Sequence, residues 1–289
     1  MLLNERLAHH APHLTASERT LAESLHRDYP HGLLEPASAL AARTGTSAST
    51  VVRLVAKLGY DSLAELRREA RAEVTTRLQS AALRAPATLG KGRSLEEYVD
   101  DTLLHDQHNL EATRRGLDMQ AFRAMVKALA QSTGKVYVLG EKNSAPVSAY
   151  LATHLSLCRP DVHELAAGSR FMVDRLVWTQ PDDVLLVYTV RRYSSGALHA
   201  AQHFHAQGCK VLVITDSPQA PVLAHSSHHL LVHTANASPF DSYTAAFFLG
   251  NALISAVAQQ RSTEVAQTLQ RRDDIWRGFE RDALEGLQR

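Results

Sequence analysis

The chain has 289 residues, of which 45% are hydrophobic and 21% are charged, and its formal net charge is +1. This length is enough for two domains with separate cores, and the composition is that of an ordinary soluble globular protein. No apolar run approaches the length of a membrane span, the first residues are not those of a signal peptide, and two cysteines exclude a disulfide framework, so we expect a cytoplasmic protein.

Residues 1–80 are predicted to form a wholly helical first domain. One helix is predicted to begin at the capping sequence of residues 14–19, and Pro36 stands where the next begins, because its fixed φ fits a first helical turn. The domain holds ten Lys or Arg residues against nine Asp or Glu residues, so it has no strong basic patch as a bulk property. Any contact with nucleic acid must therefore depend on where individual cations lie.

Two short helices joined by a tight turn are predicted between Leu40 and Gly59. Gly45 supplies a turn position where a β-carbon would clash, and Ser47 caps the second helix. Apolar residues recur at helical spacing and give this second helix one apolar face, made of Val51, Leu54, Val55 and Leu58.

The opposite face of the second helix is predicted to contact the major groove of DNA. Small hydroxyl groups can hold phosphates, and an arginine can reach the edge of a guanine. The candidate DNA-binding residues are Ser47, Ser49, Thr50, Arg53 and Lys57. The alternative is a helical hairpin whose polar face is merely solvated, since this geometry also occurs in proteins that do not bind DNA.

The rest of the chain alternates between apolar runs and helical patterns. Residues 81–94 contain Pro86 and two glycines and are predicted to be a linker, and a helical lead-in follows up to about residue 131. Strands are predicted at 135–140, 162–165, 183–189, 210–216 and 230–233. Strands that alternate with helices predict an α/β domain over residues 95–289, with a parallel sheet flanked by helices. Ligands bind such sheets outside the carboxyl ends of the strands.

Two stretches of the sequence carry a resemblance to a known family. The hairpin has Ala41-x-x-x-Gly45-x-Ser47-x-x-Thr50-Val51-x-Arg53 followed by Leu58-Gly59-Tyr60, and a later stretch has Ile214-Thr215-Asp216-Ser217 followed by Pro221 and Ala224. In both, and in its plan, the chain resembles the RpiR/MurR family of bacterial transcription regulators. The resemblance implies an all-α helix-turn-helix domain followed by a five-stranded sugar isomerase (SIS) domain. It also implies a homodimer or homotetramer that binds operator DNA and senses an anionic effector such as a phosphorylated sugar or sugar acid.

Two loops depart from this family at the ligand site that the resemblance implies. Where the family has Gly-x-Gly-x-Ser and Ser-x-Ser-Gly-x-Thr, this chain has Gly140-Glu141-Lys142-Asn143-Ser144 and Thr189-Val190-Arg191-Arg192-Tyr193-Ser194. The candidate ligand-binding residues are Ser144, Thr189, Arg191, Arg192 and Ser194. Arginine suits a phosphate or a carboxylate, so the ligand is a sugar phosphate, a smaller anion or a dicarboxylate, or else the site is lost. The alternative for both arginines is an exposed loop or a subunit interface where they pair with acidic residues.

An enzyme of the phosphosugar isomerase type is the alternative function, because SIS folds also host such enzymes. Glu141 and Glu164 are the candidates for a catalytic base near strand ends, but neither is well placed in the sequence, so we predict no catalytic residue. His199-x-x-x-His203-x-His205 is not joined by a carboxylate or a cysteine, so we predict neither a metal site nor a cofactor. Cys158 and Cys209 are predicted to be buried.

Overall fold

The computed structural model describes residues 6–7, 10–27, 36–69, 81–82, 85, 93–165 and 170–286. The chain divides into two units, Met1–Leu83 and Arg84–Arg289. The predicted boundary at residue 80 and most of the predicted linker lie outside the described residues. Within those residues, no helix is long and apolar enough to cross a membrane.

The first unit is helical, and its helices surround one apolar core. They are α1 (Ala16–Arg27), α2 (Ala37–Arg43) and α3 (Ala48–Lys57), and residues 63–69 are helical as well. α2 begins directly after Pro36, as predicted. The core contains the large side chains of Leu21, Leu25, Leu40, Val51, Leu54, Leu58 and Leu66. The spacing of these residues explains why each helix buries one face and exposes the other.

The turn between α2 and α3 has the geometry that the sequence predicts. Gly45 has a φ of +64°, a backbone conformation that side chains with a β-carbon rarely adopt. The Ser47 side chain accepts a hydrogen bond from the N–H of Thr50, at 3.2 Å, and so caps α3. Local contacts in the turn and at the cap therefore determine where α3 begins and how it follows α2.

The second unit contains a five-stranded sheet in which all strands are parallel. The strands are β1 (Val136–Gly140), β2 (Val162–Leu165), β3 (Val184–Thr189), β4 (Lys210–Thr215) and β5 (His228–Leu231). Their order is β2-β1-β3-β4-β5. The predicted fold class is confirmed. β5 begins two residues before the predicted strand, because an edge strand with one exposed side can accommodate the polar His228 and His229.

Helices cover both faces of the sheet. In chain order they are α4 (Leu95–Arg115), α5 (Met119–Gln131), α6 (Ala145–Cys158), α7 (Arg170–Leu176), α8 (Ser195–Ala206), α9 (Thr244–Gln260) and α10 (Ser262–Gly286). α5, α6 and α9 pack on one face, while α7 and α8 pack on the other. The predicted lead-in is two helices, because Asp118 caps a new helix with its side chain after the turn at Gly116.

The order of the strands reverses between β1 and β3. β1 is followed along the chain by β2 on one side of the sheet, whereas β3 and the later strands lie on its other side. Crevices form at the carboxyl ends of strands at such a point, and ligands bind there. The loops after β1 and β3, residues 141–144 and 190–194, begin at this place.

Candidate functional site

The outer face of α3 carries most of the residues that are predicted to contact DNA. Ser47, Ser49, Arg53 and Lys57 are exposed. Val52 lies on the same face with 60% of its side chain exposed, and the sequence analysis did not single it out. An exposed apolar residue of this size can contact the methyl group of thymine. The DNA-binding roles of these residues remain predictions.

Thr50 does not point away from the core as predicted, because it is only 4% exposed. It stands four residues before Leu54, at the edge of the apolar face, and the packing of α3 covers it. Its hydroxyl lies 2.9 Å from the Ser47 hydroxyl and accepts a hydrogen bond from Arg53 Nη2 at 3.3 Å. Thr50 therefore orients the two exposed residues on either side of it.

Lys57 is held by the first helix of the unit. Its Nζ lies 2.6 Å from Glu18 Oε2 and also donates to the carbonyl of His13, at 3.4 Å. Glu18 is buried, with 3% of its side chain exposed. The hydrogen bond from Lys57, and next that from the N–H of Thr15, lower the pKa of Glu18 below its usual value of 4.5. Lys57 is thus paired with Glu18, and this ion pair joins α3 to α1.

The start of α6 brings Ser144 to the end of β1. A β-carbon at Gly140 would lie 2.5 Å from the carbonyl oxygen of Ser144 and 2.7 Å from Ser148 Oγ, so glycine is needed for this close approach. Ser144 is 3% exposed. Its side chain lies near Tyr243, whose pKa is raised by burial and lowered to a smaller extent by Ser144.

The two other candidate hydroxyls lie at the end of β3. Thr189 is 5% exposed and pairs in register with Thr215 of β4. Ser194 caps α8, because its hydroxyl accepts a hydrogen bond from the N–H of Ala197 at 3.1 Å. Since β1 and β3 are neighbours in the sheet, these residues and Ser144 belong to adjacent strand ends.

Arg191 pairs with two carboxylates instead of projecting into an open crevice. Its Nε lies 3.4 Å from Asp241 Oδ1 and 3.9 Å from Asp216 Oδ2, and 19% of its side chain is exposed. Its backbone N–H donates to Asp216 Oδ1 at 3.1 Å, and the Tyr193 hydroxyl donates to the same oxygen at 3.0 Å. These acidic partners belong to the same chain rather than to a second subunit, and a role of Arg191 in ligand binding stays a prediction.

Arg192 is exposed and has a φ of +63°, in the left-handed region. Lys142, also exposed, has a φ of +53°. At these two positions the family that this chain resembles has glycine and this chain does not. Both loops thus keep a backbone that favours glycine although their side chains have become cationic, which costs about 1–3 kcal/mol at each position. Strain of this kind concentrates at functional sites.

Three further residues lie at these strand ends: Tyr188 and Thr215, which were not predicted as site residues, and Glu141, which was considered only as a catalytic base. The hydroxyls of Tyr188 and Thr215 are fully buried and have no hydrogen-bond partner among the described residues. Burial raises the pKa of Tyr188 well above its usual value, so the phenol stays protonated and can donate. The Glu141 carboxylate lies against Gly196, in the first turn of α8, where a β-carbon would overlap it. The position of Thr215 at a strand end could have indicated it from the sequence. Tyr188 lies inside an apolar strand, where nothing in the sequence distinguishes it from a core residue.

The histidines and cysteines have structural contacts. His203 Nε2 lies 3.1 Å from the carbonyl oxygen of Leu176, and His205 stacks edge-on against His225. Among the described residues, no three His, Cys, Asp or Glu side chains are grouped as metal ligands would be. The predicted burial of Cys158 and Cys209 is confirmed, and burial raises the pKa of the Cys209 thiol to about 11.

The sequence of the second unit matches a known domain family. Residues 128–256 match the family model of the SIS domain, a region that contains the whole sheet and both loops of the candidate site. The chain therefore contains an SIS domain, as the resemblance implies. Among curated proteins, no sequence is significantly similar to this chain.

Solved structures with a similar fold include regulators and a putative isomerase. The sugar isomerase domain of an RpiR transcription factor from Sphaerobacter thermophilus is 22% identical, with a TM-score of 0.57 over 60% of this chain and 96% of that chain. The Vibrio vulnificus NanR protein complexed with ManNAc-6P is 16% identical, with a TM-score of 0.54 over 94% of this chain and 97% of its own. A putative sugar-phosphate isomerase from Listeria monocytogenes is 15% identical, with a TM-score of 0.50 over 58% and 93%. These similarities confirm the predicted resemblance at the level of the fold.

Proposed function

We propose that this chain, whose residues 128–256 form an SIS domain, is a transcriptional regulator that binds operator DNA through α3 and senses an anionic sugar derivative. The meeting of the loops after β1 and β3 at adjacent carboxyl strand ends carries the proposal for the effector site. The similarity to NanR, which covers 94% of this chain, supports the joining of this site to a helical unit.

The case for DNA binding rests on what α3 leaves exposed. Ser49 and Arg53 give it donors for phosphates and for a base edge, and Val52 gives it an apolar contact. The Arg53 guanidinium donates a hydrogen bond to the Thr50 hydroxyl at 3.3 Å. This contact restricts the Arg53 side chain before binding, so that less conformational entropy is lost when it binds DNA. Because Lys57 is paired with Glu18, Arg53 is the cation of α3 that we assign to base recognition.

The effector is assigned to hydroxyls inside the site and cations at its rim. Thr215 offers a buried hydroxyl without a partner among the described residues, beside Thr189 in the register, and a hydroxyl of a sugar can bond to it. Lys142 and Arg192 are exposed beside these strand ends and suit the anionic group, whereas Arg191 holds Asp216 and Asp241 in place. This revises the predicted role of Arg191 from ligand contact to support of the site.

We also assign a homodimer or homotetramer to the regulator. The predicted DNA-binding domain, residues 1–80, has a formal charge of +1 from ten cationic and nine anionic residues. One such domain has little electrostatic attraction for a half-site at physiological salt. Two domains in a symmetric assembly combine their contacts and read a palindrome. Light scattering at micromolar concentration should therefore give at least the mass of a dimer.

A gel shift with intergenic DNA from beside the gene tests the DNA-binding part. We expect Arg53→Ala to weaken binding by about 10- to 100-fold, as the loss of a bidentate base contact would. The matched control is Arg68→Ala, an arginine that is 76% exposed in the same unit, for which we expect a change below about threefold. Equal binding by wild type and Arg53→Ala would remove Arg53 from recognition.

A thermal-shift screen of phosphorylated sugars and organic acids, including ManNAc-6P, tests the sensor. A bound effector at 100 times its dissociation constant adds about 2.7 kcal/mol to stability. Thr215→Val should reduce the shift because it removes a buried hydroxyl, whereas Ser156→Ala, an exposed serine whose hydroxyl bonds within α6, should not. An aldose–ketose assay on each hit separates a sensor from an isomerase, since turnover would favour the enzyme.

A further inference from the structure

Helix α4 presents a polar stripe to its own domain. Asp106, Asn109 and Thr113 are spaced at i, i+3 and i+7, so they lie on one face of the helix. Asn109 and Thr113 are buried, with exposures of 0% and 1%. By contrast, Leu95 and Val99 of the same helix are 80% and 68% exposed. Specific hydrogen bonds therefore account for much of how this face of α4 is held.

The stripe binds residues 232–243, the segment between β5 and α9. Asn109 donates to the carbonyl of Ala235 at 2.7 Å and accepts from its N–H at 3.1 Å. Thr113 accepts from the N–H of His233 at 2.9 Å. These contacts fix the backbone of the segment rather than its side chains, so they would change if the segment moved along α4.

Asp106 holds the other end of the same segment. One of its carboxylate oxygens accepts from the Ser242 hydroxyl at 2.5 Å, and the other accepts from Thr244, the first residue of α9, at 2.7 Å. The residues on either side of Ser242 both reach the candidate effector site. Asp241 lies 3.4 Å from Arg191 Nε, and Tyr243 lies near Ser144, which lowers its pKa. The contact with α4 and the contacts with the site are therefore made by directly neighbouring residues.

We infer that the 232–243 segment couples the effector site to α4, with Asp106, Asn109 and Thr113 as positioning residues. The inference rests on the proposed function. An effector that binds beside Arg191 and Ser144 alters their contacts with Asp241 and Tyr243, and Ser242 transmits that change to Asp106. α4 is the helix that follows the predicted linker from the DNA-binding domain, so its position is what an effector must change to act on DNA.

The polar nature of the stripe suits such a coupling. Hydrogen bonds to a carboxylate and to backbone groups are directional, so the segment can adopt a small number of discrete arrangements on α4. An apolar contact surface of the same area would tolerate small shifts without a change of partner. The stripe thus converts a small displacement at the strand ends into the loss or exchange of specific bonds.

Hydrogen exchange of the full-length chain, without effector or DNA and followed by mass spectrometry, tests this coupling. Asp106→Ala removes the acceptor for Ser242 and Thr244. We expect amide exchange to rise about five- to tenfold in residues 232–243 and also in residues 189–194, as the loss of two charged hydrogen bonds would allow. The matched control, Glu111→Ala, removes the same charge from an exposed residue of α4 and should leave both regions unchanged.

A second variant and a reverse measurement keep the outcome decisive. Ser242→Ala breaks the bond to Asp106 from the other side without a change of charge, and it serves if Asp106→Ala fails to fold. In the reverse direction, Arg191→Ala should speed exchange in residues 106–113 more than in strands β1 and β3, because coupling is reciprocal. An equal rise throughout the α/β unit would reflect its lower global stability and would count against the coupling. A rise that stays within residues 232–243 and α4 in both variants would overturn the coupling. Since no DNA is used, a failed gel shift would refute the proposed function and leave this result unaffected.

Discussion

Helix α3 and the candidate effector site both contain a cation that is paired with acidic residues, but the two pairings join different kinds of element. Lys57 lies 2.6 Å from one carboxylate, Glu18, and remains 40% exposed. Arg191 lies between two carboxylates and is 19% exposed. In α3 the cation serves to dock a helix that is already specified locally. At the strand ends the cation lies between two loops, because Asp216 follows β4 and Asp241 lies in the segment between β5 and α9.

In both places, one cationic residue is paired within the protein and another cationic residue is left exposed to bind a ligand. On α3, pairing of Lys57 leaves Arg53 exposed one turn earlier, so support and recognition use different residues of one helix. At the strand ends, Arg191 and Arg192 are adjacent, yet Arg191 is partly buried between two carboxylates and Arg192 is exposed with a left-handed backbone. There, Arg191 supports the structure of the site, and its neighbour Arg192 is the residue proposed to bind the effector. Substitutions that remove one role and keep the other test this division.

The largest effect is expected from Arg191→Ala. The substitution leaves Asp216 and Asp241, which are 6% and 13% exposed, without the cation between them. Breaking a buried ion pair from one side costs about 3 kcal/mol, so the α/β unit should unfold at a lower urea concentration. Arg192→Ala is the matched control, because this exposed neighbour should change stability by less than about 0.5 kcal/mol. A variant of Arg191 as stable as the wild type would refute its supporting role.

A smaller loss is expected from Lys57→Ala. Glu18 would stay buried with the N–H of Thr15 but without its cation, and a hydrogen bond to a charged group is worth about 2 kcal/mol. Urea denaturation of the helical unit should show this loss. The control is Arg68→Ala, since Arg68 is 76% exposed and lies 3.8 Å from Glu65, a pair that contributes about 0.5 kcal/mol or less. Equal losses in the two variants would show that the Lys57 contact is an ordinary surface pair.

The pairing of Glu18 also predicts a dependence on pH. Its pKa in the folded protein is below the usual 4.5, chiefly because Lys57 donates to it. A lowered pKa contributes stability that is present above the unfolded value and is lost as the pH falls through the folded value. Stability of the helical unit should therefore fall below about pH 4.5 in the wild type and fall less in Lys57→Ala. Parallel pH profiles for the two proteins would contradict this.

The parts of the structure that depend on local rules could be predicted from the sequence. The hairpin has its turn at Gly45 and its cap at Ser47, and the strand predicted at 162–165 is Val162–Leu165. Periodicity, capping and turn chemistry act within about one or two helical turns, so they are visible in a single stretch. The parallel sheet also followed, because strands that alternate with helices are joined by crossover connections.

The partners of the site residues could not be predicted in this way. Glu18 and Lys57 are 39 positions apart, and nothing in either stretch indicates that they meet. Thr50 was placed on the wrong face because it stands at the edge of the apolar stripe, where tertiary packing decides exposure. The same holds for Arg191, whose partner Asp241 comes from a loop without regular structure. Long-range pairing of polar groups leaves no periodic trace in a sequence.

The smallest effect, and the one of opposite sign, is expected from Arg192→Gly. The left-handed φ of +63° is unfavourable for arginine by about 1–2 kcal/mol, whereas glycine adopts it freely. The greater freedom of glycine in the unfolded chain offsets about 0.5–1 kcal/mol of that relief, so we expect a net gain of about 0.5 kcal/mol. The same change at Arg123, an exposed residue inside α5, should lose about 1 kcal/mol. If Arg192→Gly is stabilised and yet loses the thermal shift given by the sugar phosphates, the strained arginine is retained for effector binding. If it keeps that shift in full, the anionic group is bound elsewhere.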